Sequence, residues 1–178
     1  RLAINTILLA GGVTVFALAL AVSAAYAFSR LQFRGREQLM LAVLGVLMLP
    51  AVAGIAPLFV LLNKIRISFG GTTFILRDSL LGVGLAMTAG ALPFAIWNLK
   101  GYLDTIPKEL EEAATIDGAT RNQTFIRVIL PLTTPALATT AFLVFLGGWT
   151  EFALSWQFLT KPDSFTLSMS LYNMVGQY

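Results

Sequence analysis

The sequence predicts an all-α integral membrane protein, a polytopic bundle of helices, and three features indicate this. Of the 178 residues, 57% are hydrophobic and 12% are charged, whereas about a quarter of the residues in globular domains are charged. The mean hydropathy is +0.79. The charges are clustered and leave four uncharged stretches, at residues 2–29, 38–63, 79–99 and 128–150. Because a spanning helix needs about 20 residues, each stretch is long enough to cross a bilayer.

Composition also excludes most enzyme classes. The chain has no histidine and no cysteine, which removes His-based acid–base catalysis, thiol chemistry, Cys/His zinc sites and disulfides. We therefore expect no catalytic residue and no metal site. The net charge of +3 does not indicate nucleic acid, because the basic residues lie beside apolar stretches, where positive charge sets membrane orientation.

The first predicted span, residues 2–29, carries small residues at four-residue intervals, namely Ala17, Ala21 and Ala25. This spacing lets two membrane helices approach closely, so we expect the span to pack against protein. The arginines that follow surround Gly35, which predicts a tight turn and an antiparallel second span.

The second predicted span, residues 38–63, contains Pro50 and Pro57. Each proline removes a backbone donor in the membrane, so we expect a kinked or broken helix. A prolyl kink that only shapes packing is the simpler interpretation of each proline alone. Together they favour a protein that encloses a cavity.

The third and fourth predicted spans, residues 79–99 and 128–150, follow a polar stretch at 64–78. Small residues again recur every four positions in the third span, at Gly82, Ala86 and Gly90, and Pro93 is expected to bend its second half. The fourth span contains two further prolines, Pro131 and Pro135.

The loop between these spans, residues 100–127, is the longest charged segment. Pro107 suits a first helical position, and acidic residues then occupy the positive end of the helix dipole, namely Glu109, Glu111 and Glu112. Gly118 predicts the end of this helix. Thr120, followed three residues later by Gln123, predicts a capping box and a second helix. On composition alone, a solvated interfacial hairpin is the simpler interpretation.

Charge also predicts the orientation and extent of the chain. Seven of the twelve Lys and Arg residues lie in loops 30–37 and 100–127, and five lie elsewhere. The positive-inside rule therefore places these two loops in the cytoplasm. Because the chain begins at Arg1 and its first apolar run does not have the form of a signal peptide, we expect it to be part of a longer protein.

A long motif in the charged loop resembles a known family. Glu112-Ala113-Ala114, three residues, Gly118, nine residues and Val128-Ile129-Leu130-Pro131 are similar to the EAA signature of bacterial ABC importer membrane subunits. Val128 replaces the usual Ile. The surrounding sequence, including Trp149-Thr150-Glu151-Phe152, resembles the sugar-importing branch related to the maltose permease, and the resemblance covers essentially the whole chain.

The resemblance implies a type I ABC importer permease fold in the bacterial cytoplasmic (inner) membrane, usually with one more span at each end. It implies that the loop docks into a cytoplasmic ATPase through Leu110, Glu112, Ala113, Ala114, Asp117, Gly118 and Arg121. The other implied partners are a second permease subunit, an extracellular or periplasmic solute-binding protein and membrane lipid. The chain has no Gly-Lys pair and hence no P-loop, so ATP and Mg are expected on the ATPase and no cofactor on this chain.

Two alternatives remain open: an importer of a non-sugar solute, and an ion-coupled secondary transporter. The second would need ionisable groups within the spans, and all four spans lack them up to Glu151. A passive channel or scaffold would not explain the motif.

The candidate substrate path consists of residues that can stack on or hydrogen-bond to a sugar: Asn98, Trp149, Thr150 and Glu151. Trp149 equally suits an aromatic belt at the membrane interface. Glu151 equally suits a solvated position at the mouth of the path or a pairing with Lys161.

Overall fold

The computed structural model describes residues 1–49, 51–69 and 72–175. The helices are α1 Leu2–Arg30, α2 Arg36–Leu47, α3 Ile55–Lys64, α4 Leu80–Leu103, α5 Glu109–Ile116, α6 Arg121–Thr124, α7 Leu130–Leu132, α8 Thr134–Thr150, α9 Ala153–Phe158 and α10 Leu167–Val175. A π-helical turn, Phe125–Ile129, joins α6 to α7, and short 3-10 turns lie at Ala51–Gly54, Leu76–Asp78 and Pro162–Ser164.

The predicted helical bundle is confirmed, with one small addition. Strands β1, Arg66–Phe69, and β2, Thr72–Ile75, pair antiparallel within the predicted polar stretch, with Arg66 opposite Ile75 and Phe69 opposite Thr72. The hairpin connects the end of α3 to the start of α4.

Helices α1, α4 and α8 form the centre of the bundle. At one end, Leu9 and Val13 of α1 lie near Gly84 of α4. At the other end, Ser29 in the last turn of the same helix donates to Asp104, just beyond α4. The two helices therefore run parallel. Helix α8 runs the opposite way, because Gly148, near its end, packs against Ala10 of α1.

The small residues of α1 are in the core, as the four-residue spacing predicts. Ala17, Ala21 and Ala25 are fully buried. One apolar cluster surrounds Ala17 near the start of α1, and a second surrounds Ala21 and Ala25 near its end. Both clusters draw residues from α4, so α1 connects the two ends of the bundle.

Two helices in the described part of the chain, α1 and α4, are each long and apolar enough to cross a membrane. The expected second span is instead divided into α2 and α3, of 12 and 10 residues, with the Ala51–Gly54 turn between them. Pro57 lies in the first turn of α3, where a backbone donor has no helical partner. Pro50 lies outside the described residues.

The expected fourth span also begins later than its uncharged stretch. The helical segment 121–132 is bent by 70° from α8, which starts at Thr134. Residues 128–132 therefore belong to the bent segment, and the apolar helix covers Thr134–Thr150. In contrast, Pro93 is buried inside α4, which continues as one helix to Leu103.

Candidate functional site

Helix α5 contains the acidic residues that the sequence places in its first turn, Glu109, Glu111 and Glu112. It begins slightly later than expected: Lys108 is the N-cap, so Pro107 lies before the helix and not at its first position. Lys108 already has helical backbone angles, and its carbonyl accepts hydrogen bonds from the N–H groups of Glu111 and Glu112. The three carboxylates are thus near the positive end of the helix dipole, as predicted.

Gly118 ends α5 in a left-handed conformation, with φ of +85°. The N–H of Ala119 donates to the carbonyl of Ala114 at 2.9 Å, and the N–H of Gly118 donates to the carbonyl of Thr115 at 3.0 Å. These two bonds define a Schellman motif. The glycine stop that the sequence predicts is therefore confirmed, and its positive φ explains why glycine occupies this position.

The predicted capping box is also present at the start of α6. The hydroxyl of Thr120 accepts from the N–H of Gln123 at 3.4 Å, and the side chain of Gln123 accepts from the N–H of Thr120 at 2.8 Å. The chain therefore turns at Gly118 and enters a new helix within three residues. This fixes the direction of α6 relative to α5.

The predicted docking residues form an exposed surface on this helix–turn–helix. All of them are exposed except Ala114, which is half-buried; the exposed ones are Leu110, Glu112, Ala113, Asp117, Gly118 and Arg121. One neighbour was missed by the sequence interpretation. The side chain of Ile116 is 87% exposed, and it lies on the helix face of Glu112 and Ala113, four and three residues earlier.

A cleft of about 510 Å³ lies between α5, α6 and the end of α1. Its lining combines carboxylates, a guanidinium and an apolar group: Glu111, Glu112, Arg121 and Ile116 among others. The cleft thus offers carboxylates, a guanidinium and an exposed aliphatic side chain at one place. We therefore regard this face as the candidate functional site.

The inner wall of this site is a partly buried ion pair. The guanidinium Nε of Arg30 donates to a carboxylate oxygen of Glu111, and their side chains are 6% and 18% exposed. The hydroxyl of Tyr26 donates to the other Glu111 oxygen at 3.1 Å. From the sequence, Arg30 was assigned only a role in membrane orientation, and Glu111 only an interaction with the dipole of α5. Their pairing joins residues 81 positions apart, which spacing alone does not reveal.

Asp104 forms a second link beside this pair. Its carboxylate accepts hydrogen bonds from Ser29 at 2.6 Å and from Lys100 at 2.6 Å. Burial raises the pKa of the Asp104 carboxyl, but the hydrogen bonds from Lys100 and Ser29 outweigh this, so its pKa lies below the usual range. Asp104 therefore stays ionised at neutral pH and holds the start of the loop against α1.

The structure does not bring the four candidate substrate-path residues together. The Asn98 amide donates to the Thr140 hydroxyl at 2.8 Å, and Asn98 lines a separate cleft of about 500 Å³ between α4 and α8. Thr150 lies ten residues after Thr140 in the same helix, which is about 15 Å along its axis. Asn98 is thus far from the group formed by Trp149, Thr150 and Glu151.

The side chains at the far end of α8 are largely engaged within the fold. Glu151 accepts from the N–H and the hydroxyl of Ser155, at 3.1 and 2.7 Å, and so holds the start of α9. It does not pair with Lys161, whose ammonium lies 3.5 Å from Asp78. Trp149 stacks on Phe145 with ring centroids 6.0 Å apart.

Helices α1 and α4 are long and apolar enough to cross a membrane, which indicates an integral membrane protein. More specifically, the chain belongs to the family described as the binding-protein-dependent transport system inner membrane component, whose model matches residues 6–175. Membership confirms the resemblance that the EAA motif indicates.

Individual relatives agree with this family. The chain is 34% identical over 174 residues to the alpha-glucoside transport system permease protein of Rhizobium meliloti, covering 97% of this chain and 45% of that protein. It is 35% identical over 167 residues to the trehalose/maltose transport system permease protein of Thermococcus litoralis, covering 94% of this chain and 57% of that protein.

The fold is similar to a chain in the crystal structure of a bacterial ABC transporter involved in the import of the acidic polysaccharide alginate. The TM-score is 0.85 at 26% identity, over 99% of this chain and 58% of that chain. This likeness confirms the predicted importer permease fold. The chain spans about half the length of the curated relatives it matches.

Proposed function

We propose that the chain is part of the non-catalytic permease subunit of an ATP-driven importer, that it forms half of a translocation pore and that it couples to a separate ATPase through α5. The observation that carries this proposal is the Schellman-terminated helix α5. It presents Leu110, Glu112 and Ile116 to solvent on a loop whose base is held by partly buried polar contacts. An exposed, rigidly mounted helix of this kind suits docking into a cleft on a partner.

A sugar or oligosaccharide is the proposed cargo. Support comes from the relatives, which are named as alpha-glucoside and trehalose/maltose permeases, and from aromatic and amide side chains such as Trp97 and Asn98 around the cleft between α4 and α8. Aromatic faces and hydrogen-bonding groups are the chemistry that sugars require. The proposed further partners are a second permease subunit and a solute-binding protein outside the membrane.

Reconstitution tests this function. The full-length subunit is placed in liposomes with its permease partner, and the ATPase and the binding protein are added separately. We expect concentrative uptake of a labelled maltodextrin or trehalose only when both additions and ATP are present. A matched preparation that receives a sodium or proton gradient without the ATPase is the control. Concentrative uptake in that control would contradict the proposal and favour a secondary transporter.

The proposed orientation is tested separately by cysteine labelling, which is simple because the chain has no native cysteine. Arg34, Asn122 and Gln157 are all exposed, the first two at the loop end of the bundle and the third in α9. With an impermeant thiol reagent on intact cells, we expect labelling of Gln157→Cys and none of Arg34→Cys or Asn122→Cys until the membrane is opened. Labelling of Asn122→Cys in intact cells would contradict this orientation and indicate the opposite one.

A further inference from the structure

The contacts of Arg30 extend beyond its ion pair. Besides Glu111 in α5, the guanidinium reaches the loop before α5, where Nη2 donates to the carbonyl of Ile106 at 2.7 Å. Tyr26, one turn earlier in α1, donates to the same Glu111 carboxylate and packs its ring against Phe125 at 4.7 Å between centroids. One end of α1 therefore contacts the loop before α5, α5 itself and the π-helical turn after α6.

Helix α5 itself buries no residue. Its other first-turn carboxylates, Glu109 and Glu112, are exposed. Successive helical residues differ by about 100° in direction, which allows Glu112 to face solvent while Glu111 faces α1. The side of α5 that is proposed to meet the ATPase and the side that meets the bundle are thus separated on one short helix.

Helix α1 is placed to transmit a displacement from its Arg30 end to α4 and α8. It belongs to both apolar clusters, through Leu9 and Val13 near one end and Ala21 and Ala25 near the other. Close-packed interiors transmit displacement because they resist compression. A displacement applied at Arg30 therefore reaches the α4 and α8 contacts along the whole bundle.

We propose that the Arg30–Glu111 pair is the joint through which movement of α5 is transmitted to α1, an inference that rests on the proposed docking function. A planar guanidinium that bonds to a carboxylate and a backbone carbonyl fixes orientation as well as distance. Because both charges are largely buried, removal of either leaves the other without compensation and loosens α5 from α1. Arg30 and Glu111 act here as positioning residues and make no contact with cargo.

The test uses the complete importer in liposomes and measures cargo molecules taken up per ATP hydrolysed. We expect Glu111→Gln, Arg30→Gln and the double variant each to lower this ratio by about 5-fold or more, the lower limit of ordinary coupling between sites. The double variant should be no worse than the single ones, since all three remove the same interaction. The ATPase should still co-purify with each variant in normal amount, because Leu110, Glu112 and Ile116 are unchanged.

A matched control lies in the same region. Glu109→Gln removes a carboxylate from the same first turn of α5 at an exposed site. Exposed charges contribute little to stability, so this control should stay within about twofold of the wild type.

The remaining outcomes separate the joint from the docking function. A normal ratio of uptake to ATP hydrolysis in the Arg30 and Glu111 variants would contradict the proposed joint. It would not contradict the docking function, which rests on ATPase-dependent uptake by the wild type. Loss of the ATPase from these variants would also contradict the joint, since the pair would then serve only to fold the loop. Failure of the proposed function would appear differently, as wild-type uptake that does not need the ATPase.

Discussion

Gly118→Val is expected to reduce uptake by the assembled importer strongly, although a Cβ at this position would meet no atom within 4 Å. The cause is the backbone: φ is +85° at this position, and a residue with a Cβ pays about 1–2 kcal/mol to adopt the left-handed region, more when β-branched. Relief of that strain requires a different turn, which breaks the Schellman bonds and moves α6 relative to α5. A change of this size corresponds to about 5- to 30-fold in the population of the correct loop.

The measurement is uptake together with co-purification of the ATPase. Gly118→Asn is the matched control, because asparagine enters the left-handed region more readily than valine, and we expect it to keep most of the activity. The order glycine, asparagine, valine should hold for both measurements. Equal ATPase binding and uptake in the valine and wild-type complexes would contradict the proposed docking role of this turn.

The loop was predictable from the sequence because its structure is local. The glycine stop and the capping box each involve residues within five positions, and their backbone requirements are specific to residue type. The start of α5 was less predictable: Pro107 tolerates both the first helical position and the position before the N-cap. The ion pair of Arg30 with Glu111 depends on how α1 and α4 pack, which no local pattern encodes.

The apolar stretches were predicted less completely than the loop. Charge-free length located the two long apolar helices, α1 and α4. Hydropathy measures polarity and not direction. It therefore joined residues 128–132 to α8 and missed the 70° bend before Thr134. The prolines predicted a break in the second stretch without fixing its place. The sequence does contain a signal for the β1–β2 hairpin, because two runs rich in β-branched and aromatic residues flank Gly70-Gly71.

The candidate substrate path was the weakest prediction because residue chemistry does not reveal which groups are already engaged. Glu151 has the right chemistry to bind hydroxyls, but its oxygens accept from Ser155 and from the N–H of Leu154. Asn98 likewise donates to Thr140. Any contact with cargo at these positions remains a prediction.

Gly148→Val is expected to destabilise the bundle far more than the same change at the preceding glycine. A Cβ at Gly148 would lie 3.0 Å from both Cα and Cβ of Ala10 and 3.5 Å from the methyl of Met87. The Cα of Ala10 belongs to the backbone of α1 at a fully buried residue, so it cannot rotate away, and α8 must separate from α1. Overpacking of this kind costs about 1–3 kcal/mol, and it removes the close backbone approach on which membrane helices depend.

The matched control is Gly147→Val, because Gly147 is exposed on the same helix and a Cβ there meets nothing within 4 Å. Both variants change helix propensity equally, so only the contact with α1 differs. The measurement is the fraction of full-length subunit that remains monodisperse in detergent after heating over a series of temperatures. We expect a clearly lower midpoint for Gly148→Val than for Gly147→Val, which should resemble the wild type. Equal midpoints for the two variants would mean that α1 and α8 do not pack through this glycine.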